Sequence, residues 1–112
     1  MSDELSELRD SIDKIDRDIV ENITKRLEIS KKVAEIKYSS EGEDVEIYRK
    51  EREEEILKKI KSIVDEDNFY IGEDLYSLLD SIYSQIFYFS REEQKSFLSC
   101  EYGVNFNENK NH

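Results

Sequence analysis

The 112-residue chain is predicted to be all-α, with three helices per chain, a very long first helix, and assembly into an intertwined helical homodimer. Three observations predict this. Proline is absent and glycine occurs only at Gly42, Gly72 and Gly103, so helix breakers are few and each reads as punctuation. Leu5, Leu8, Ile12, Ile15, Ile19, Ile23, Leu27 and Val33 recur at helical steps, one apolar stripe sustained to about Tyr38. A helix of about 35 residues is also roughly 50 Å long, against a radius of gyration of about 13 Å for a compact domain of this size. Two shorter helices cover only part of such a stripe, so the remainder is expected to pack on a second copy.

The other elements follow in order. "SSEGEDV", residues 39–45, reads as a loop. A second helix is expected from about Ile47 to Val64, with Ile56, Ile60 and Ile63 on one side, ended by "DEDN" at 65–68. The third is expected to begin near Glu73 and carries Leu75, Leu79, Ile82, Ile86 and Phe89 on one stripe. The chain closes on "CEYGVNFNENKNH", polar and rich in Asn. Residues 1–97 are thus expected to form one helical domain and residues 98–112 a polar, flexible C-terminal tail.

Composition excludes several functions. The chain has 28 acidic and 17 basic residues and a net charge of −11, a balance without the dominant basic surface that nucleic acid requires. No apolar run approaches the roughly 18 residues of a membrane span, and no cleavable leader is visible, so a cytoplasmic protein is expected. Cys100 is the single cysteine and His112 the single histidine, which argues against an internal disulfide, a Cys/His metal cluster or a Ser-His-Asp arrangement. Chemistry must then use carboxylates, amines, guanidiniums, amides or hydroxyls.

Polar residues on the apolar faces say more. "NITKRLEISKKVAEIK", residues 22–37, carries five positive charges. At 100° per residue Ile23, Leu27 and Ala34 define one face, Arg26, Ser30 and Lys37 fall inside it, and Lys25 and Lys32 point away. Arg9 lies at the edge of the same stripe. The second helix turns Arg49, Arg52 and Glu53 toward the side of Ile56, leaving Lys58, Lys59 and Lys61 off it, and the third places Ser90 and Gln94 with Leu79. Each taken alone has a structural explanation. An inward arginine snorkels or finds a carboxylate, Arg52 and Glu53 suit an interhelical ion pair, and Ser90 and Gln94 suit i,i+4 partners. Tyr83 and the aromatic residues 87–89 suit a core. Together they leave excess positive charge in an apolar setting, where an unpaired ion costs several kcal/mol, and that excess asks for an anionic ligand.

The ordered set "LRDSIDKIDRDIVENITKRLEISKKVAEIK", "YRKEREEEIL" and "YSQIFYFSREEQ" resembles the helical, type II class of chorismate mutases over about residues 5–97. That family has an arginine near the start, a second arginine seventeen residues on and a lysine eleven further, which Arg9, Arg26 and Lys37 match without gaps. Arg52 and Glu53 match its Arg-Glu pair. Of two Ser-x-x-x-Gln candidates, Ser81 with Gln85 and Ser90 with Gln94, the second lies on the apolar side of its helix. Two features depart from the pattern. Arg49 stands where the family commonly has Asp, and the connection before the third helix is longer.

The resemblance implies the [3,3] rearrangement of chorismate to prephenate, toward phenylalanine and tyrosine, with no cofactor and no metal. By resemblance Arg9 and Arg26 hold the two carboxylates, Lys37 and Gln94 donate to the ether oxygen, and Ser90 assists one carboxylate. Glu53 accepts from the ring hydroxyl, Arg52 supports that end, and Arg49 joins the substrate-binding set. The family's active sites are shared between the chains of a homodimer. An isochorismate-pyruvate lyase or an aminodeoxychorismate mutase would use nearly the same clamps, and a non-catalytic helical dimerisation module is the alternative from another class.

Overall fold

The computed structural model describes residues 2–66 and 73–106. Helix α1 is Ser2–Glu41, one unbroken helix of 40 residues, with Asp3 and Glu4 in its first turn where negative charge suits the helix dipole. It runs three residues past its expected end because the stop is Gly42, which takes the left-handed conformation (φ +66°) that L side chains resist. A short 3-10 turn, Gly42–Asp44, follows, closed by the Val45 N–H donating to Gly42 O at 3.1 Å.

Helix α2, Lys50–Glu66, begins three residues later than expected. Residues 45–48 alternate buried and exposed, with Val45 and Ile47 inward and Glu46 and Tyr48 outward. That period of two belongs to an extended segment, so Ile47 serves the connection and not the helix. The stop expected at 65–68 lies partly outside the described residues. Helix α3, Glu73–Tyr102, begins where expected. All the regular structure among the described residues is helical.

α3 runs in the same direction as the second half of α1. Tyr83 and Phe87 lie beside Arg26, Ser90 beside Ser30, and Tyr102 beside Tyr38, whose ring it stacks on at 4.6 Å. α2 runs the opposite way along α3, with Glu53 meeting Arg91 and Lys61 meeting Tyr76.

The core sits at the carboxyl ends of α1 and α3. Ala34, Val45, Ile47, Leu98 and Val104 form it, with Tyr38, Phe97 and Phe106 packed against them. This corrects the expectation of a flexible tail from 98 onward. Leu98 is fully buried inside α3, and Val104 is buried just beyond it. Gly103 (φ +69°) ends the helix, donating its N–H to Ser99 O at 3.0 Å, and Val104 N–H donates to Leu98 O at 3.3 Å, which folds Val104 back onto the core. Polar composition concealed two apolar anchors on either side of a glycine stop. Residues 107–112 of the expected tail lie outside the described residues.

The first half of α1 has no such cover. Every residue from 3 to 22 is exposed. Leu5, Leu8, Ile12, Ile15 and Ile19 each leave at least half of their surface open. The molecule accordingly extends 60 × 28 × 26 Å with a radius of gyration of 18.4 Å. Where the stripe reaches α3 it continues into an apolar groove lined by Ile23, Leu27, Ile82, Ile86 and Phe89. Among the described residues no helix is long and apolar enough to cross a membrane.

Candidate functional site

A cleft of about 300 Å³ opens where the second half of α1, the 45–49 connection, the start of α2 and the middle of α3 converge. Its apolar floor is Ile29, Val33, Ile47, Ile56 and Phe87. Its polar lining is Arg26, Ser30, Lys37, Arg49, Arg52, Glu53, Ser90, Arg91 and Gln94. Five of these nine are cations and one is a carboxylate.

α1 supplies Arg26, Ser30 and Lys37 at spacings of four and seven, so they stand one above another on the inward face. Arg26 is braced by aromatic rings, its guanidinium carbon 5.7 Å from the centroids of both Tyr83 and Phe87. Such contacts hold a cation in place while leaving its N–H groups free to donate. Phe87 is core, as expected for this aromatic run, whereas Tyr88 and Phe89 turn out to be exposed.

From α3, Ser90 is buried and donates to Ser30 Oγ at 2.9 Å, and Gln94 Nε2 donates to Ser30 O at 2.9 Å. An amide nitrogen carries two hydrogens, so Gln94 retains a donor for the cleft. Ser81 and Gln85, the competing pair, are both exposed and away from this cleft.

Lys37 donates from Nζ to Glu46 O across the turn between α1 and α2. Its pKa is lowered from the ordinary 10.5, first by burial and next by the Arg49 charge, against the opposing pull of Glu41 and Glu46. A cation held in these surroundings is stabilised by an anion arriving in the cleft.

On α2 the structure differs from expectation. Arg49 precedes the helix, and it and Arg52 are exposed at the rim. Arg52 pairs with Glu55 one turn along, at the surface. Glu53 is half-buried and pairs instead with Arg91 of α3. Arg91 escaped the sequence reading because it sits about 100° round the wheel from Ser90. The available signal was Glu53 itself, an inward carboxylate that needs a cation from a neighbouring element.

The structure therefore brings together Arg26, Lys37, Arg49, Arg52, Glu53, Ser90 and Gln94 in one cleft. It does not bring Arg9 there. Arg9 stands in the exposed first half of α1, seventeen residues from Arg26 on the same straight helix, which is roughly 25 Å along the axis.

In comparisons with known proteins, the family model described as chorismate mutase type II matches residues 8–95. No curated protein and no solved structure matches the chain.

Proposed function

Since the chain belongs to the type II chorismate mutase family, we propose that it catalyses the [3,3] rearrangement of chorismate to prephenate, in a site shared between two copies of the chain. The observation that carries this reading is the cleft, where Arg26, Lys37, Ser90 and Gln94 converge with a surplus of cations over carboxylates. That set suits a small dianion.

The reaction makes and breaks bonds within one molecule and needs no nucleophile. The flexible substrate must be held with its enolpyruvyl side chain over the ring, and clamping both carboxylates supplies that positioning. Arg26 serves one carboxylate with help from Ser90, because a guanidinium binds carboxylates in two-point fashion and stays charged. Arg9 of a second copy serves the other. As the C–O bond breaks, negative charge grows on the ether oxygen. Lys37 and Gln94 donate to it there, and donors that tighten as charge develops lower the barrier. Glu53 accepts from the ring hydroxyl, with Arg52 and Arg49 at that end of the cleft.

The second copy is argued from α1. Five large apolar side chains stand at least half open along its first half, and the stripe runs on into the apolar groove beside α3. Completing their burial stabilises an assembly by on the order of 5 kcal/mol per chain. The isologous arrangement that sets the start of one α1 against the middle of the other delivers Arg9 to the neighbour's cleft.

The test is an assay following loss of chorismate absorbance together with formation of prephenate. Turnover that disappears in Arg26→Ala supports the reading, and absence of turnover with intact helical dimer refutes it. Arg49 at the rim gives one reason to run isochorismate and aminodeoxychorismate in parallel, since a cation in place of the family's usual Asp alters the end that meets the ring substituent. Preferential turnover of either would move the assignment to a lyase or an aminodeoxychorismate mutase.

A further inference from the structure

Arg91 lies next to Ser90 and one turn before Gln94 on α3, and its guanidinium is engaged on two sides. It donates from Nη1 to Glu53 Oε2, bridging α3 to the first turn of α2. Its guanidinium carbon also lies 5.0 Å from the ring centroid of Tyr48, in the connection between α1 and α2. The two side chains of this pair are 26% and 21% exposed, against 57% and 56% for Arg52 and Glu55. An open surface pair contributes little and wanders, whereas a largely covered pair, pinned on a second side by an aromatic ring, keeps its geometry.

Glu53 has cations to choose from. Arg49 and Arg52 line the same cleft at its rim, and a carboxylate free to swing would follow them outward. Arg91 approaches from the α3 side and holds Oε2 there. Glu53 lines the cleft, and with one oxygen held its second oxygen is restricted in turn and able to accept from a ligand hydroxyl.

We propose that Arg91 is a positioning residue that sets the cleft's recognition of a hydroxyl-bearing ring by fixing the Glu53 carboxylate. This rests on the reading of Glu53 as the acceptor from the substrate's ring hydroxyl. The hydroxyl takes no part in bond making, so its contact is made alike in substrate and transition state and governs binding more than turnover.

The experiment compares wild type, Arg91→Leu, Glu53→Gln and the double variant. Each is measured for chorismate kinetics and for calorimetric binding of a bicyclic dicarboxylate mimic of the transition state, with and without its ring hydroxyl. Arg91→Leu should raise KM for chorismate about ten-fold, the size of one charge-assisted hydrogen bond, with kcat changed by no more than about two-fold. Wild type should prefer the hydroxylated mimic by about ten-fold, and Arg91→Leu should bind both mimics equally. The double variant should be no worse than the weaker single, because both changes remove one interaction. Arg91→Lys keeps the charge without the planar fork and should retain part of the preference, which carries the same comparison if the leucine variant does not fold. Equal weakening of both mimics by Arg91→Leu, or penalties that multiply in the double variant, would overturn the positioning role while leaving the mutase reading intact. Failure of wild type to bind either mimic or turn over chorismate would overturn both.

Discussion

The first half of α1, residues 3–22, and its second half, residues 23–41, carry the same apolar period in very different surroundings. In the second half Ala34 is fully buried, Leu27 and Tyr38 are half-covered, and α3 and the 45–48 segment pack around them. In the first half every residue is exposed, although Leu5, Leu8, Ile12, Ile15 and Ile19 continue the stripe. The polar residues divide the same way. Arg26, Ser30 and Lys37 each meet a partner within the chain, a ring pair, a serine and a backbone carbonyl, whereas Arg9 stands on the open half. One sequence pattern thus yields an internal core where the chain can fold back on itself and an open face where it cannot. An amphipathic stripe specifies burial without specifying which chain supplies the cover.

Charging the open half should have the largest effect. Ile12→Lys together with Ile15→Glu should convert the proposed dimer into monomer by sedimentation and lower activity by more than about a hundred-fold, since the apolar face would hold two charges that burial penalises. The corresponding loss on the packed half comes from chemistry. Lys37→Ala should reduce kcat by roughly a hundred- to a thousand-fold with a much smaller effect on KM, because its proposed partner is the ether oxygen that gains charge only as the bond breaks. Sedimentation should be unchanged. Leu98→Ala acts on the core behind the cleft. Truncating this fully buried side chain should cost about 2–5 kcal/mol in denaturant unfolding, while activity of the folded fraction at low temperature is largely retained.

A smaller effect is expected from the electrostatics of the packed half. In its proposed role Lys37 must be cationic, and its pKa lies below 10.5, through burial first and Arg49 second. In kcat/KM against pH, activity should therefore be present at neutral pH and fall on the alkaline side, at a pH below that of a free lysine. Arg49→Ala removes a like charge, which favours the protonated amine, so the alkaline limb should move to higher pH. A limb that stays in place would show that Arg49 does not set it.

How much was legible in the sequence follows from which signals are local. The three helices were legible because an uninterrupted 3.6-residue period needs only neighbours along the chain. The inward faces of Arg26, Ser30, Lys37, Ser90 and Gln94 came from the same arithmetic, and the structure places all five at the cleft. Legibility failed where a residue's surroundings are set by another element. Arg52 and Glu53 are adjacent, yet Arg52 turns outward to Glu55 and Glu53 crosses to Arg91 of α3, a choice fixed by how α2 crosses α3. Val45 and Ile47 were absorbed into a loop and a helix because two alternations are too short to announce an extended segment. Val104 sat in a polar stretch whose composition outweighed the Gly103 stop that turns it inward.

In the proposed enzyme one working site needs the open half of one α1 and the packed half of another. Arg9 and Arg26 lie on one continuous helix, so their separation of roughly 25 Å and about 100° of rotation cannot be closed within a chain around one small dianion. Arg9→Ala and Arg26→Ala, each prepared alone, should be nearly inactive. Unfolded together in equal amounts and refolded, they should give mixed dimers that hold one doubly damaged site and one wholly intact site. Random assortment makes about half of the dimers mixed, so activity should recover to roughly a quarter of wild type per chain. No recovery, with mixed dimers demonstrably present, would contradict the shared site.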